Sequence, residues 1–216
     1  MIKNVFFDFD GVIINSERSI VEGLKYALSN TGYDIPEYSV LKECIGPPFK
    51  ISMPNILKIK EEDYDEFLTT YRGIYDTKTM YYCELYDGIE DCLKDLNNRG
   101  YSLTICSSKN ERACRAIAKH LNIEKYFVDI VGSTPESNIE LKSEVINHAF
   151  ERSPWQNRLE TVIVGDTKYD AKGAVEAGIT CIGVSYGFGT IDELISNGAV
   201  AVLDSPKEVA RYIEER

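Results

Sequence analysis

From Ile89 onward the chain alternates helical apolar periods with short apolar runs, and this alternation restricts the fold more than any other feature. Ile89, Cys92, Leu93 and Leu96 mark a helix stopped near Gly100, and a strand follows at 102–106. The pattern then predicts helix 110–121, strand 128–131, helix 141–151, strand 161–164, helix 168–177, strand 179–183, helix 190–196 and strand 199–203. Thr190 with Glu193, and Ser205 with Pro206 and Glu208, read as helix starts. Strands regularly separated by helices pair in parallel and are covered on both faces. The expected class is therefore α/β, a doubly wound, Rossmann-like parallel sheet whose ligand lies beyond the carboxyl ends of the strands.

The first strand fits this class and carries the first polar cluster. Val5-Phe6-Phe7-Asp8-Phe9-Asp10-Gly11-Val12 is an apolar run broken by two carboxylates and a glycine. Along an extended chain Asp8 and Asp10 leave on the same side, and Gly11 then allows a sharp turn that presents backbone amides. Ile20, Leu24, Ala27 and Leu28 give one face of a helix ending near Gly32. No buried strand is legible from there to about Cys83. Tyr64, Phe67, Leu68, Tyr71 and Tyr75 keep helical spacing, preceded by a shorter apolar stretch around Ile51 to Ile59. Roughly 70 residues exceeds any ordinary loop, so this stretch is expected to be a helical subdomain, a cap inserted after the first strand. The expected division is 1–14 with 84–216 as the catalytic core and 15–83 as the cap.

Composition narrows the partners. A net charge of −11 lacks the basic stripes that hold phosphate backbones, so nucleic acid is not an expected partner. Six cysteines show neither C-x-x-C pairing nor zinc-ligand spacing, and read as free thiols of a reducing cytoplasm. The opening apolar run is cut short by Asp8, which fits neither a signal peptide nor an anchor, and no apolar stretch is long enough to span a membrane. Monomer and dimer are equally open.

Polar residues cluster where strands end. Asp8 and Asp10 follow the first, Ser107-Ser108-Lys109 the second, and Gly165-Asp166-Thr167-Lys168-Tyr169-Asp170 the strand at 161–164, while Lys142 opens the intervening helix. Asp166 and Asp170 share a helix face if the helix begins by Asp166. Should Asp8, Asp10 and Asp166 converge, each close carboxylate pair costs about 4 kcal/mol at an effective dielectric of about 20. A cation or a bound proton must offset this, and an all-oxygen donor set favours a hard ion, most simply Mg²⁺.

Asp8-Phe9-Asp10-Gly11-Val12, Ser107 after the second strand, Lys142, and Gly165-Asp166-Thr167-x-x-Asp170 resemble, in order, the four motifs of the haloacid dehalogenase superfamily of phosphohydrolases. The helical insert resembles that superfamily's C1-type cap. Ile45-Gly46-Pro47-Pro48, Tyr86-Asp87-Gly88 and Gly187-Phe188-Gly189 are similar to its phosphoglycolate phosphatase-like branch. The resemblance implies a Mg²⁺-dependent phosphatase of a small phosphorylated metabolite. Asp8 would attack phosphorus, forming an aspartyl phosphate, and Asp10 would act as general acid and base. Ser107 and Lys142 would hold the phosphoryl oxygens. The metal ligands it implies are Asp8, Asp10 through its main-chain carbonyl, Asp166 and Asp170. Gly11, Ser108, Lys109, Gly46 and Arg72 are the candidate substrate contacts. Asn15 stands where the branch usually has aspartate, which is expected to alter cap motion or specificity and to spare the chemistry.

Plainer readings stand beside these. Asp166 and Asp170 also suit a helix N-terminus through its dipole, Ser107 to Lys109 also reads as a helix start, and Lys142 as a solvated charge. Gly46-Pro47-Pro48 also reads as an interhelical turn, and Arg72 and Lys50 as surface charges. His120 and His148 receive no role. Within the superfamily the rivals are a 5'-nucleotidase, a pyrophosphatase, a sugar-phosphate phosphatase and a mutase of the β-phosphoglucomutase kind. A dehalogenase is disfavoured by Asp10, because leaving halide needs no acid. Outside enzymes, a receiver-type signalling module shares the phosphorylated aspartate, but usually lacks so large an insert.

Overall fold

The structure, a computed structural model, describes residues 1–47, 49–134 and 139–216. The chain divides into two compact units, Met1–Asn15 with Leu85–Arg216, and Ser16–Glu84.

The first unit is built on a six-stranded sheet. In chain order its strands are β1 (Asn4–Phe7), β2 (Ser102–Asn110), β3 (Asp129–Ser133), β4 (Thr161–Gly165), β5 (Thr180–Val184) and β6 (Ala199–Leu203). They lie in the order β3-β2-β1-β4-β5-β6, and every pairing is parallel. β1 is central and wholly buried, which explains why Asn4-Val5-Phe6-Phe7 is a near-continuous apolar run with no polar alternation. The helices of this unit, α5 (Ile89–Asn98), α6 (Glu111–His120), α7 (Lys142–Arg152), α8 (Lys168–Ala177), α9 (Ile191–Ser196) and α10 (Pro206–Glu214), alternate with the strands, as the sequence pattern predicts. Phe6 faces a core that includes Cys106, Val145, Ile146, Phe150, Ile163, Ala171 and Ala174, and its ring lies 5.2 Å from that of Phe150.

The chain crosses from β1 to β2 on one side and from β4 to β5 on the other, so the topological switch falls between β1 and β4. Register puts the carboxyl ends level: Phe7 pairs with Ile105 on one side and with Val164 on the other. Asp8 is therefore level with Cys106 and Gly165, and Ser107 and Asp166 follow one residue later at the same end of the sheet.

Two local expectations change. β2 runs on to Asn110 with a register shift against β3 between Cys106 and Asn110, so Ser107-Ser108-Lys109 lies within a bulged strand end, not after the strand. The helix after β4 begins only at Lys168, with Thr167 as its cap, so Asp166 precedes it. Asp166 and Asp170 consequently do not share a helix face; a loop and a first turn bring them together.

The second unit is helical. Its helices are α1 (Glu17–Asn30), α2 (Tyr38–Lys42), α3 (Phe49–Asn55) and α4 (Tyr64–Thr77). α1 packs on α4 through Leu24, Ala27 and Leu28 on one side and Phe67, Tyr71 and Tyr75 on the other, all buried. The tyrosines with helical spacing form this unit's core, with the Tyr71 and Tyr75 rings stacked 5.2 Å apart and Phe49 edge-on to Tyr71 at 4.7 Å. The six cysteines are free thiols. Among the described residues no helix is long and apolar enough to cross a membrane.

Candidate active site

Asp8 continues the ladder of β1, its amide donating to the Val164 carbonyl at 2.9 Å. The strand then stops. Ile13 and Ile14 both donate to the Phe9 carbonyl, and Gly11 turns with φ +83°, a conformation that disfavours any other residue. This turn ends the strand, and the two carboxylates meet different lysines: Asp8 reaches Lys142 and Asp10 reaches Lys109.

Lys142 begins α7 (Lys142–Arg152) and is buried to its tip. Its Nζ stands 2.7 Å from Asp8 Oδ1 and 2.7 Å from Asp170 Oδ1, and donates to the Cys106 carbonyl at 3.0 Å. Asp170 lies in the first turn of α8 (Lys168–Ala177), where its Oδ2 accepts from the Thr167 amide at 3.0 Å and hydroxyl at 2.7 Å. One carboxylate thus closes a capping box with one oxygen and meets the lysine with the other.

Asp166 is fully buried. Its Oδ2 accepts from the Phe188 amide at 2.7 Å, and its Oδ1 has no hydrogen-bond partner. Its cradle admits no extra atom: a methyl at Gly187 would stand 2.3 Å from Asp166 Cβ, and one at Gly11 would stand 1.9 Å from Oδ2. One carboxylate oxygen each from Asp8, Asp166 and Asp170 lies within 4.8 Å of the others.

Three buried carboxylates face one buried ammonium, leaving two negative charges if all are ionised. Burial, with the charge of Asp170 added, pushes the Asp8 carboxyl up to about 6 against the pull of Lys142. Burial and the charges of Asp170 and Asp8 hold Asp166 well above the usual carboxylate range. The same two carboxylates raise the Lys142 ammonium further, against its own burial. A divalent cation fits this cluster: its charge cancels the surplus, all donors are oxygen, and Asp166 Oδ1 lacks a partner.

The remaining sequence-predicted residues distribute as follows. Ser107 is buried with its hydroxyl on Asp8, Ser108 is half-buried, and Lys109 Nζ stands 3.0 and 3.1 Å from the two Asp10 oxygens. The Asp10 carboxylate is therefore paired with a lysine and lies outside the acidic cluster. Gly46 and Arg72 belong to the helical unit, where both are exposed. Pro48 of Gly46-Pro47-Pro48 lies outside the described residues. Sequence reasoning did not assign Phe188 to the site; its contribution is a backbone amide, which its side-chain type does not announce. The two flanking glycines were the available signal.

Comparison with known proteins agrees with this geometry. The family model described as haloacid dehalogenase-like hydrolase matches residues 5–184. The chain is 32% identical over 191 residues to a 5'-nucleotidase of Pseudomonas aeruginosa, covering 88% of this chain and 86% of that one. It is 34% identical to the tyrosine-protein kinase PtkA of Mycobacterium tuberculosis, covering 87% of this chain but 64% of PtkA. Among solved structures, a predicted phosphatase from Clostridium acetobutylicum superposes with a TM-score of 0.93 at 32% identity, with both chains fully covered. The chain belongs to the haloacid dehalogenase-like hydrolases, and within them it is a phosphatase.

Proposed function

We propose that this protein is a Mg²⁺-dependent phosphatase that hydrolyses a small phosphate monoester through an aspartyl-phosphate intermediate on Asp8. The observation that carries this reading is the convergence of Asp8, Asp166 and Asp170 within 4.8 Å around a partnerless Asp166 oxygen, with Lys142 against Asp8. An Asp8 oxygen forms a bond to phosphorus as the ester P–O bond breaks, and the leaving oxygen takes its proton from Asp10. Asp10 then removes a proton from water, whose oxygen displaces Asp8 and releases phosphate. Lys142 opposes the effect of burial on Asp8 and keeps more of it in the ionised, nucleophilic form. Ser107 orients that carboxylate, and with Lys142 it faces the charge that develops on the phosphoryl oxygens. Bound Mg²⁺ would be held by Asp8, Asp166, Asp170 and the Asp10 carbonyl, and would neutralise the carboxylates and polarise the phosphoryl group.

The closest substrate class by motif is that of phosphoglycolate phosphatases. A second reading, a nucleoside 5'-monophosphate, is favoured by the relative from Pseudomonas aeruginosa. A panel of phosphate esters assayed with and without Mg²⁺, and compared by kcat/KM, separates them. Metal-dependent release from 2-phosphoglycolate above all others supports the first reading, and selectivity for nucleotides the second. Little release from any ester, with transfer between sugar positions, points to a mutase. A labelled aspartyl phosphate that persists for minutes without turnover overturns the hydrolase reading in favour of a receiver-type module.

A further inference from the structure

Lys109 makes a strong contact to Asp10 that the site's acidic cluster does not explain. Its side chain is only 9% exposed, and its ammonium straddles both Asp10 oxygens at 3.0 and 3.1 Å. A two-point contact of this kind fixes the direction of a carboxylate as well as attracting it. Lysine is a flexible point charge, so such a contact needs the lysine itself to be held.

The fold supplies that support. The register shift in β2 falls at Ser107 to Lys109, and bulges re-aim side chains in this way. The Lys109 amide donates to Ser107 Oγ at 3.3 Å. Its carbonyl lies against Gly132 of β3, where a methyl would stand 2.6 Å from that carbonyl oxygen and 2.5 Å from Glu111 Cα. Glu111 opens α6 (Glu111–His120) and is tied down by the Gly132 amide, Arg115 and Arg152, the last at 2.7 Å. Arg152 ends α7, the helix that Lys142 begins. The segment carrying Lys109 is therefore braced to the same helix that presents the cation of the acidic cluster.

We propose that Lys109 is a positioning residue that holds the Asp10 carboxyl in its working orientation for protonating the leaving oxygen, and is not primarily a grip on the phosphoryl group. The inference rests on the role given to Asp10 above. In the step concerned, the ester P–O bond breaks while the Asp10 proton moves to the departing oxygen. The demand on Asp10 grows with the basicity of that oxygen. An alkyl ester, which leaves as a strongly basic alkoxide unless protonated, depends on Lys109; 4-nitrophenyl phosphate, whose leaving group is stable as an anion, scarcely does.

The test compares kcat and KM for an alkyl phosphate and for 4-nitrophenyl phosphate, with Mg²⁺ present, in the wild type, Lys109→Met, Lys109→Arg, Asp10→Asn and the Lys109→Met/Asp10→Asn double variant. Thermal unfolding checks that each is folded. Lys109→Met is expected to lower kcat for the alkyl ester about tenfold to a hundredfold, and for the aryl ester by less than about threefold. Lys109→Arg, a donor fork, should restore most of the alkyl activity, and the double variant should be no slower than Asp10→Asn alone. Equal losses on both esters, appearing in KM and multiplying with those of Asp10→Asn, would assign Lys109 to the phosphoryl group and overturn the proposal alone. If Asp10→Asn itself lowers both esters equally, the acid assignment fails and this inference falls with it. Should Lys109→Met not fold, Lys109→Gln, which also removes the charge but keeps a polar end, is read against the two esters in the same way.

Discussion

The Phe188 amide donates to Asp166 Oδ2 at 2.7 Å and leaves Oδ1, also buried, with no hydrogen bond. One oxygen is fixed by the backbone so that the other is available to a cation. The consequence is testable at Gly187, where a methyl would collide with Asp166 Cβ at 2.3 Å. Gly187→Ala should displace Asp166 and weaken Mg²⁺ by about 10- to 100-fold, as loss of a ligand's supporting contacts does elsewhere. Activity titrated against Mg²⁺ reads this as a raised half-saturation point, with activity largely recovered at high metal. An unchanged metal requirement would mean that this loop does not set the position of Asp166.

Lys142 holds two buried carboxylates at 2.7 Å each. Removing the cation while both acids remain leaves them uncompensated, so Lys142→Met should destabilise the metal-free protein by about 3 to 5 kcal/mol. Urea unfolding measures it. Mg²⁺ should restore part of that loss, because it brings positive charge to the same carboxylates. Turnover should stay low even when stability is recovered, separating the lysine's chemical part from its structural one.

The pH dependence of metal binding follows from Asp8. Its carboxyl stands at about 6 in the fold against an ordinary 3.8, so between those values the folded, metal-free protein keeps a proton that the unfolded chain has lost. This group's contribution to stability therefore falls as pH rises from about 4 to 6. Metal binding needs the ionised carboxylate and releases that proton. The increase in Tm produced by Mg²⁺ should accordingly be small at pH 5 and large at pH 7.5. Equal increases at both would show that Asp8 is not protonated in the metal-free site.

The alternating core was legible because each period is anchored by local chemistry. Helix 168–177 and strand 199–203 fall where the pattern put them, and Thr190 and Ser205 accept from the amides of Glu193 and Glu208 as their spacing suggested. Motif order likewise carried the family, because the resemblance rests on residues at strand ends throughout the chain. The partner of Asp10 was not legible. Two-residue alternation speaks only of where Asp8 and Asp10 stand on their own strand, which stops at Phe7, and says nothing of a lysine brought in from another. Lys109 finds Asp10 through a bulge, a register event between two strands that neither strand's own sequence declares. The Phe188 contact was hidden for a similar reason, since a backbone amide is offered by every residue except proline.

Covalent capture of phosphate on Asp8 bears most directly on the account. In a rapid-quench experiment with labelled substrate and Mg²⁺, acid stops the reaction within the first turnover, and borohydride reduction followed by peptide mass spectrometry locates the acyl phosphate. The account predicts homoserine in place of aspartate at position 8, with none in Asp8→Asn. Label on another residue, or phosphate released at full rate by Asp8→Asn, would contradict it.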